Sequence, residues 1–175
     1  MSDLVREGRV WTFGDQINTD VMLPGAVIRA SIEEQRKQCF EAIRPGWWKE
    51  VREGDIIIAG SGFGTGSGRP APAVLHACGI RAVAANSVNA LFLRNSVNSC
   101  VPALEFAGLS EMFQEGDVAR LNFTSGLIEN VTRKTSARTR PLPPLLIDIV
   151  DKGGLINMLV AGGYIEATQF VARSS

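Results

Sequence analysis

Residues Gly60–Arg69 read G-S-G-F-G-T-G-S-G-R, and five of the ten are glycine. The segment follows the apolar run Asp55–Ala59 and precedes a helical stretch over 71–78. A strand, a glycine-rich loop and a helix in that order make an anion site. Glycines allow positive φ and close backbone approach, and the N–H groups of the loop and helix start converge on negative charge. Two nucleotide fingerprints fail here. G-x-G-x-x-G would need glycine where Thr65 or Ser67 stands, and the phosphate loop G-x-x-x-x-G-K-[ST] would need a lysine that the segment lacks. What remains is Thr65, Ser67 and Arg69. A guanidinium suits bidentate binding of a carboxylate, and N–H donors around Ser67 could stabilise an alkoxide. The alternative is a tight turn that ends in a surface arginine.

Elsewhere the chain is poor in reactive groups. Its 175 residues hold one histidine, His76, and three cysteines, Cys39, Cys78 and Cys100. None forms a C-x-x-C or H-x-x-x-H pair, so no self-contained zinc or iron–sulfur site is expected. The odd, scattered cysteines suit a reducing compartment without a disulfide framework. Lys+Arg and Asp+Glu are both 18, a formal net charge of zero, which excludes the basic footprint of a nucleic-acid binder. Met1–Arg6 lacks a basic segment followed by an apolar one, and the most apolar region, 80–93, is broken by Arg81, Asn86 and Asn89. The expectation is a soluble cytoplasmic protein without a membrane span.

The elements that must position the loop can be read along the chain. Val10–Phe13 is a short β-prone run, and 14–25 reads as a structured loop with a short strand inside. Ser31 with Glu34 forms a capping box that opens a helix to about Ile43, with Ile32, Cys39, Phe40 and Ile43 on one face. Buried strands are expected at 55–59, 80–85 and 101–106. Helices are expected at 71–78, capped by Gly79, and at 89–99. Residues 117–123 and 127–131 form a hairpin about Ser125-Gly126. A basic loop follows over 133–140, then a helix over about 145–151, a further short helix, and a tail over 166–175. One α/β domain, 1–165, is the economical division.

Other residues read more plainly. His76 is a structural, partly buried helix residue, and Cys78 and Cys100 act as small buried hydrophobes. Trp47-Trp48 serves the core, an interface, or one of each. Arg94-Asn95 supports the loop from behind rather than touching a ligand. The 133–140 segment is a solvated hairpin exit or a charged contact with a partner.

Several segments in register carry a resemblance. Phe63–Arg69 resembles N-F-G-C-G-S-S-R-E-H of the small subunits of 3-isopropylmalate dehydratase, which are homologous to the swivelling C-terminal domain of aconitase. Asn18-Thr19-Asp20 with Pro24-Gly25 is similar to their D-T-D-x-I-I-P-G. Gly79–Val83 resembles G-I-K/R-A-V. Leu91–Asn95 with Asn98 resembles I-F-Y-R-N-x-x-N, and Val150–Leu155 resembles V-x-x-G-G-L. Together with Glu115–Asp117, the match spans about 8–164.

The resemblance implies a swivelling β/β/α three-layer domain. It implies a hydro-lyase subunit acting on a 2-hydroxy di- or tricarboxylic acid, by default 3-isopropylmalate in leucine biosynthesis. This chain would hold no cofactor. A partner large subunit, in a heterodimer or heterotetramer, would carry a 4Fe-4S cluster. Ser67 would be the base, stabilised by the N–H groups of Thr65, Gly66, Gly68 and Arg69, and Arg69 would hold a substrate carboxylate. Arg29, in Ala26–Arg29, lies where the family selects substrate; its alternative is a surface arginine. The loop departs from the pattern at Gly62, Thr65, Gly68, Pro70 and Ala71. Those changes leave open a related substituted malate as substrate, or an anion-binding paralogue without catalysis.

Overall fold

A seven-stranded sheet organises the chain. The computed structural model describes residues 3–66 and 68–166. In chain order the strands are β1 (Val5–Phe13), β2 (Ile56–Ala59), β3 (Ala82–Ala85), β4 (Ala103–Glu105), β5 (Val118–Asn122), β6 (Leu127–Asn130) and β7 (Thr135–Arg138). Their order in the sheet is β4-β3-β2-β1-β5-β6-β7. β1 is long enough to serve two arms. Val10–Phe13 pairs parallel with β2, while Val5–Arg9 pairs antiparallel with β5. The parallel arm continues through β3 and β4, the antiparallel arm through β6 and β7.

The helices are α1 (Thr19–Met22), α2 (Ile32–Lys37), α3 (Trp47–Glu50), α4 (Ala71–Cys78), α5 (Ala90–Asn98), α6 (Pro144–Asp151) and α7 (Leu155–Ala161). Side chains of β2 and β3 alternate between two buried clusters, as a period of two requires. Ile57, Ala59, Val83 and Ala85 pack with Trp47, Val74 and Leu75 on the helical face. Ile56, Ile58, Ala82 and Ala84 face the other way, onto Leu121, Phe123 and Ile128 of the antiparallel arm. The Thr139 hydroxyl, just past β7, donates to the Glu105 carbonyl at the end of β4. The sheet therefore curls back on itself, giving helix, sheet and sheet: the expected β/β/α architecture of an α/β chain.

Three local expectations are corrected. Residues 14–25 contain no strand beyond the isolated parallel bridge of Asn18 to Thr65; Asn18 Oδ1 accepts from Val21 N at 2.8 Å and caps α1. The Ser31 capping box is present, but α2 stops at Lys37. Phe40 takes φ 57° and stacks on Phe13 with ring centroids 4.3 Å apart. That burial overrides helix propensity, and Ile32 and Ile43 are left exposed while Cys39 and Phe40 are buried. Finally, the basic segment 133–140 is not all loop, because 135–138 pairs with β6 as an exposed edge strand. Trp47 belongs to the core, whereas Trp48 is partly buried against it. Among the described residues no helix is long and apolar enough to cross a membrane.

Candidate active site

The glycine-rich loop leaves the C-terminal end of β2 between two neighbouring loops, and both grip it. On one side runs 15–19. Ser61 N donates to Asp15 Oδ1 at 2.6 Å. Gln16 N donates to Ser61 O, Gly64 N to the Ile17 carbonyl and Thr19 N to the Thr65 carbonyl. On the other side stands 87–89. Gly62 N donates to Ser87 Oγ at 2.8 Å, Phe63 N to Ser87 O, and Asn89 N to Phe63 O. Two glycines are required by what presses on them. A Cβ at Gly64, where φ is +77°, would stand 2.3 Å from the Phe92 ring. At Gly66, φ is +115° and a Cβ would meet Thr19 Oγ1 at 2.8 Å.

The grip divides the loop. From Gly60 to Gly64 every N–H has an acceptor within the protein. Beyond it Thr65 still pairs with Asn18 in an isolated parallel bridge, and among the described residues none accepts from the N–H groups of Gly66, Gly68 or Arg69. The clamped half thus leads into Gly66, Gly68 and Arg69, whose N–H groups have no acceptor among the described residues and could meet an anion. Ser67 lies outside the described residues.

Arg69 is the charged member of that second half. Its side chain is 16% exposed. Nη2 lies 2.5 Å from Asp20 Oδ1, and Nη1 donates to the Leu23 carbonyl at 2.8 Å. Nε is buried without a partner among the described residues. Gly25 lies alongside this guanidinium, where a Cβ would stand in ordinary van der Waals contact, 3.4 Å from Nη1. The N-T-D segment thereby resolves into three tasks: Asn18 caps α1, Thr19 backs Gly66, and Asp20 pairs with Arg69. Asp20 is the site residue that the sequence reading did not single out. Its signal was the conjunction of N-T-D and P-G ahead of the loop. Asp15 and Ser87, which fix the loop together with Phe92, carry no local signal, whereas Phe92 lies in the motif-like segment Leu91–Asn95.

The remaining expected residues fall as follows. Arg29 is exposed, on the turn after the short 3₁₀ segment Gly25–Val27 that touches Arg69. Pro70 is the N-cap of α4, and Ala71, at its first turn, is buried. Arg94 does not back the loop; it is exposed and lines a surface hollow between α5 and α6. Support comes instead from Phe92 and Asn89. His76 sits in α4, where burial lowers its pKa, Arg81 lowers it further, and Glu53 opposes both. Cys39 and Cys78 are buried in the helical-face core, and burial raises the Cys39 thiol well above its ordinary range. Among the described residues no three His, Cys, Asp or Glu side chains converge to hold a metal.

Comparison with known proteins bears on this geometry. A family model described as the aconitase C-terminal domain matches residues 24–109. A 3-isopropylmalate dehydratase small subunit from Methanosarcina acetivorans is 40% identical over 152 residues, covering 86% of this chain and 93% of that one. A methanogen homoaconitase small subunit from Methanothermobacter thermautotrophicus is 36% identical over 159 residues, covering 90% and 91%. Among solved structures, 3-isopropylmalate dehydratase from Methanocaldococcus jannaschii superposes with a TM-score of 0.84 at 29% identity. The match covers 95% of this chain and 99% of that one.

Proposed function

The chain belongs to the family of 3-isopropylmalate dehydratase small subunits, within the aconitase superfamily, and from that premise we propose how its loop takes part in a dehydration and rehydration. The substrate in this reading is 3-isopropylmalate or a close 2-hydroxy diacid. The observation that carries it is the divided loop, anchored through Thr65, with the N–H groups of Gly66, Gly68 and Arg69 lacking an acceptor among the described residues, next to a mostly buried guanidinium.

Ser67, as alkoxide, would take the proton from the carbon next to a carboxylate. The electron pair forms the double bond as the hydroxyl leaves the neighbouring carbon. Water then adds with the opposite regiochemistry, and the proton returns through Ser67. A serine hydroxyl is far too weak an acid to do this unaided. In this reading the N–H groups of Gly66, Gly68 and Arg69 would hold that negative charge. Arg69 would orient the substrate carboxylate through donors not spent on Asp20 and Leu23, Nε among them. Arg29, exposed on the adjoining turn, would meet the variable end of the substrate.

This chain's own residues do not fit a cluster, because two of its three cysteines are shut in the core. In the proposed assembly the 4Fe-4S cluster belongs to the large subunit, where it supplies Lewis-acid polarisation of the substrate hydroxyl. A cytoplasmic location accords with three free thiols.

The test is reconstitution with the large subunit of the same source, followed by ultraviolet absorbance of the unsaturated acid. Ser67→Ala is expected to lower kcat by about 10²–10⁴, the range of general acid–base contributions. Arg69→Lys is expected to raise KM and lower kcat together. Wild-type turnover in Ser67→Ala would refute the serine base. One observation favours a second reading, another substituted malate as substrate: Gly68, Pro70 and Ala71 stand next to Arg69 where the family pattern has three polar side chains. Competition between the two diacids at the same reconstituted site decides between them.

A further inference from the structure

Two apolar hollows lie side by side along α5 and α6. One, of about 420 Å³, is walled by Leu93, Val97, Leu146, Ile149 and Leu155. The other, of about 350 Å³, opens at the edge of β4 between Leu104 and the segment Pro141–Pro143. They share Leu93 and Leu146 and so form one trench. Leu91 and Leu145, beside it in sequence, are 42% and 60% exposed. Arg94 lines the first hollow and Arg140 the second. Both are exposed, and among the described residues neither has an ion-pair partner. The trench's own carboxylate, Glu105, already accepts from Val88 N at 2.5 Å.

The trench is continuous with the candidate site. α5 starts at Asn89, whose N–H is bonded to Phe63 O in the loop, and Phe92 of α5 presses on Gly64. A subunit that completes the site from above the loop would therefore reach the trench as well. We propose that the trench is a docking surface for the large subunit, and that it receives an apolar segment flanked by Asp or Glu. This rests on the reading of the chain as a small subunit. Leucine and isoleucine walls supply the apolar contact, and the two unpaired guanidiniums supply the charge complement. A second copy of this chain fits less well, because a two-fold contact on this face would oppose like arginines.

The experiment measures assembly of the full chain with its large subunit at several salt concentrations. Wild type, the charge-reversed pair Arg94→Glu/Arg140→Glu, and Leu145→Glu are compared. All three sites are exposed, and thermal unfolding confirms that the variants fold. The charge-reversed pair is expected to bind about tenfold more slowly at low salt and to lose most of its salt dependence. Leu145→Glu is expected to dissociate faster with its salt slope kept. For both, kcat at saturating large subunit should stay at the wild-type value. Wild-type assembly in both variants would overturn the docking surface while leaving the small-subunit reading intact. So would a loss confined to self-association. A wild-type chain that binds no large subunit would overturn the small-subunit reading itself, and the trench proposal with it.

Discussion

Asp20 Oδ1 stands 2.5 Å from Nη2 of Arg69, although one residue belongs to the short helix before the first capped turn and the other ends the glycine-rich loop. The pair couples two segments that the chain visits far apart. Asp20 is 62% exposed at its side chain and Arg69 only 16%. The carboxylate therefore approaches the guanidinium from the solvent side. Leu23 O holds the second nitrogen, and the guanidinium plane is set before any ligand binds.

Removing the charge from Asp20 should loosen that orientation without disturbing the fold. Asp20→Asn is expected to lower kcat/KM by about tenfold or more, since a hydrogen bond to a charged group contributes about 1.5–3 kcal/mol. Its thermal unfolding should stay close to wild type, because Asp20 is exposed and an asparagine amide oxygen can still accept from Arg69 Nη2. Reconstituted kinetics and a melting curve check both halves. Unchanged kcat/KM would show that Arg69 needs no such partner.

Gly64 answers to packing rather than charge. A methyl at this position meets Phe92 at 2.3 Å with the backbone at φ +77°. Gly64→Ala is expected to cost about 2 kcal/mol or more, from overpacking and left-handed strain together. The double variant with Phe92→Ala separates the two causes. It removes the clash but keeps the strain and opens a cavity, so it should recover little stability. Full recovery would show that sterics alone govern the position.

The sequence showed the strand, loop and helix because each carries a local signal: an unbroken apolar run, five glycines, and an αL glycine after Cys78. It also showed the parallel strands, buried on both faces, as continuous runs of Ile, Val and Ala. The partner of Arg69 was not legible. Asp20 lies in four helical residues, too few to show a period, and its pairing is a tertiary contact. The edge strand 135–138 was missed for a related reason. Thr135, Ser136 and Arg138 are exposed, so no alternation marks the strand, and only pairing with β6 defines it. The helix expected to reach Ile43 stopped early because Phe40 gains more from the Phe13 and Trp47 rings than from another turn.

Asp55 joins the start of β2 to β1. It is buried, and its Oδ2 accepts from Arg9 Nη2 at 2.7 Å, Trp11 Nε1 at 2.7 Å and Arg52 N at 2.9 Å. Arg9 in turn lies over the Trp11 ring, 4.7 Å from its centroid. Asp55→Ala would leave an indole N–H buried and a guanidinium without its counter-charge. The expected loss is about 3 kcal/mol, as for breaking a buried pair from one side. Chemical denaturation reads it as a lower midpoint at unchanged slope. A change under 1 kcal/mol would mean that water replaces the carboxylate.

Asp117 makes acid stability a readout of the hairpin arm. Burial pushes its carboxyl upward, but hydrogen bonds from Gln114 N, Asn130 Nδ2 and Arg133 Nε, with the Arg133 charge, outweigh that and hold its pKa below the ordinary carboxylate value. A pKa depressed in the folded state means that the unfolded chain binds the proton first as pH falls. The contribution of Asp117 is therefore complete above the unfolded value, about 4, and disappears as pH drops through the folded value. Asp117→Asn keeps the shape and removes the titration. It is expected to melt below wild type near neutral pH, with the gap closing as pH falls through the acid range below the unfolded carboxyl value. Melting curves across that range decide the point. A gap that stays constant with pH would assign the loss to hydrogen-bond geometry alone and not to the charge.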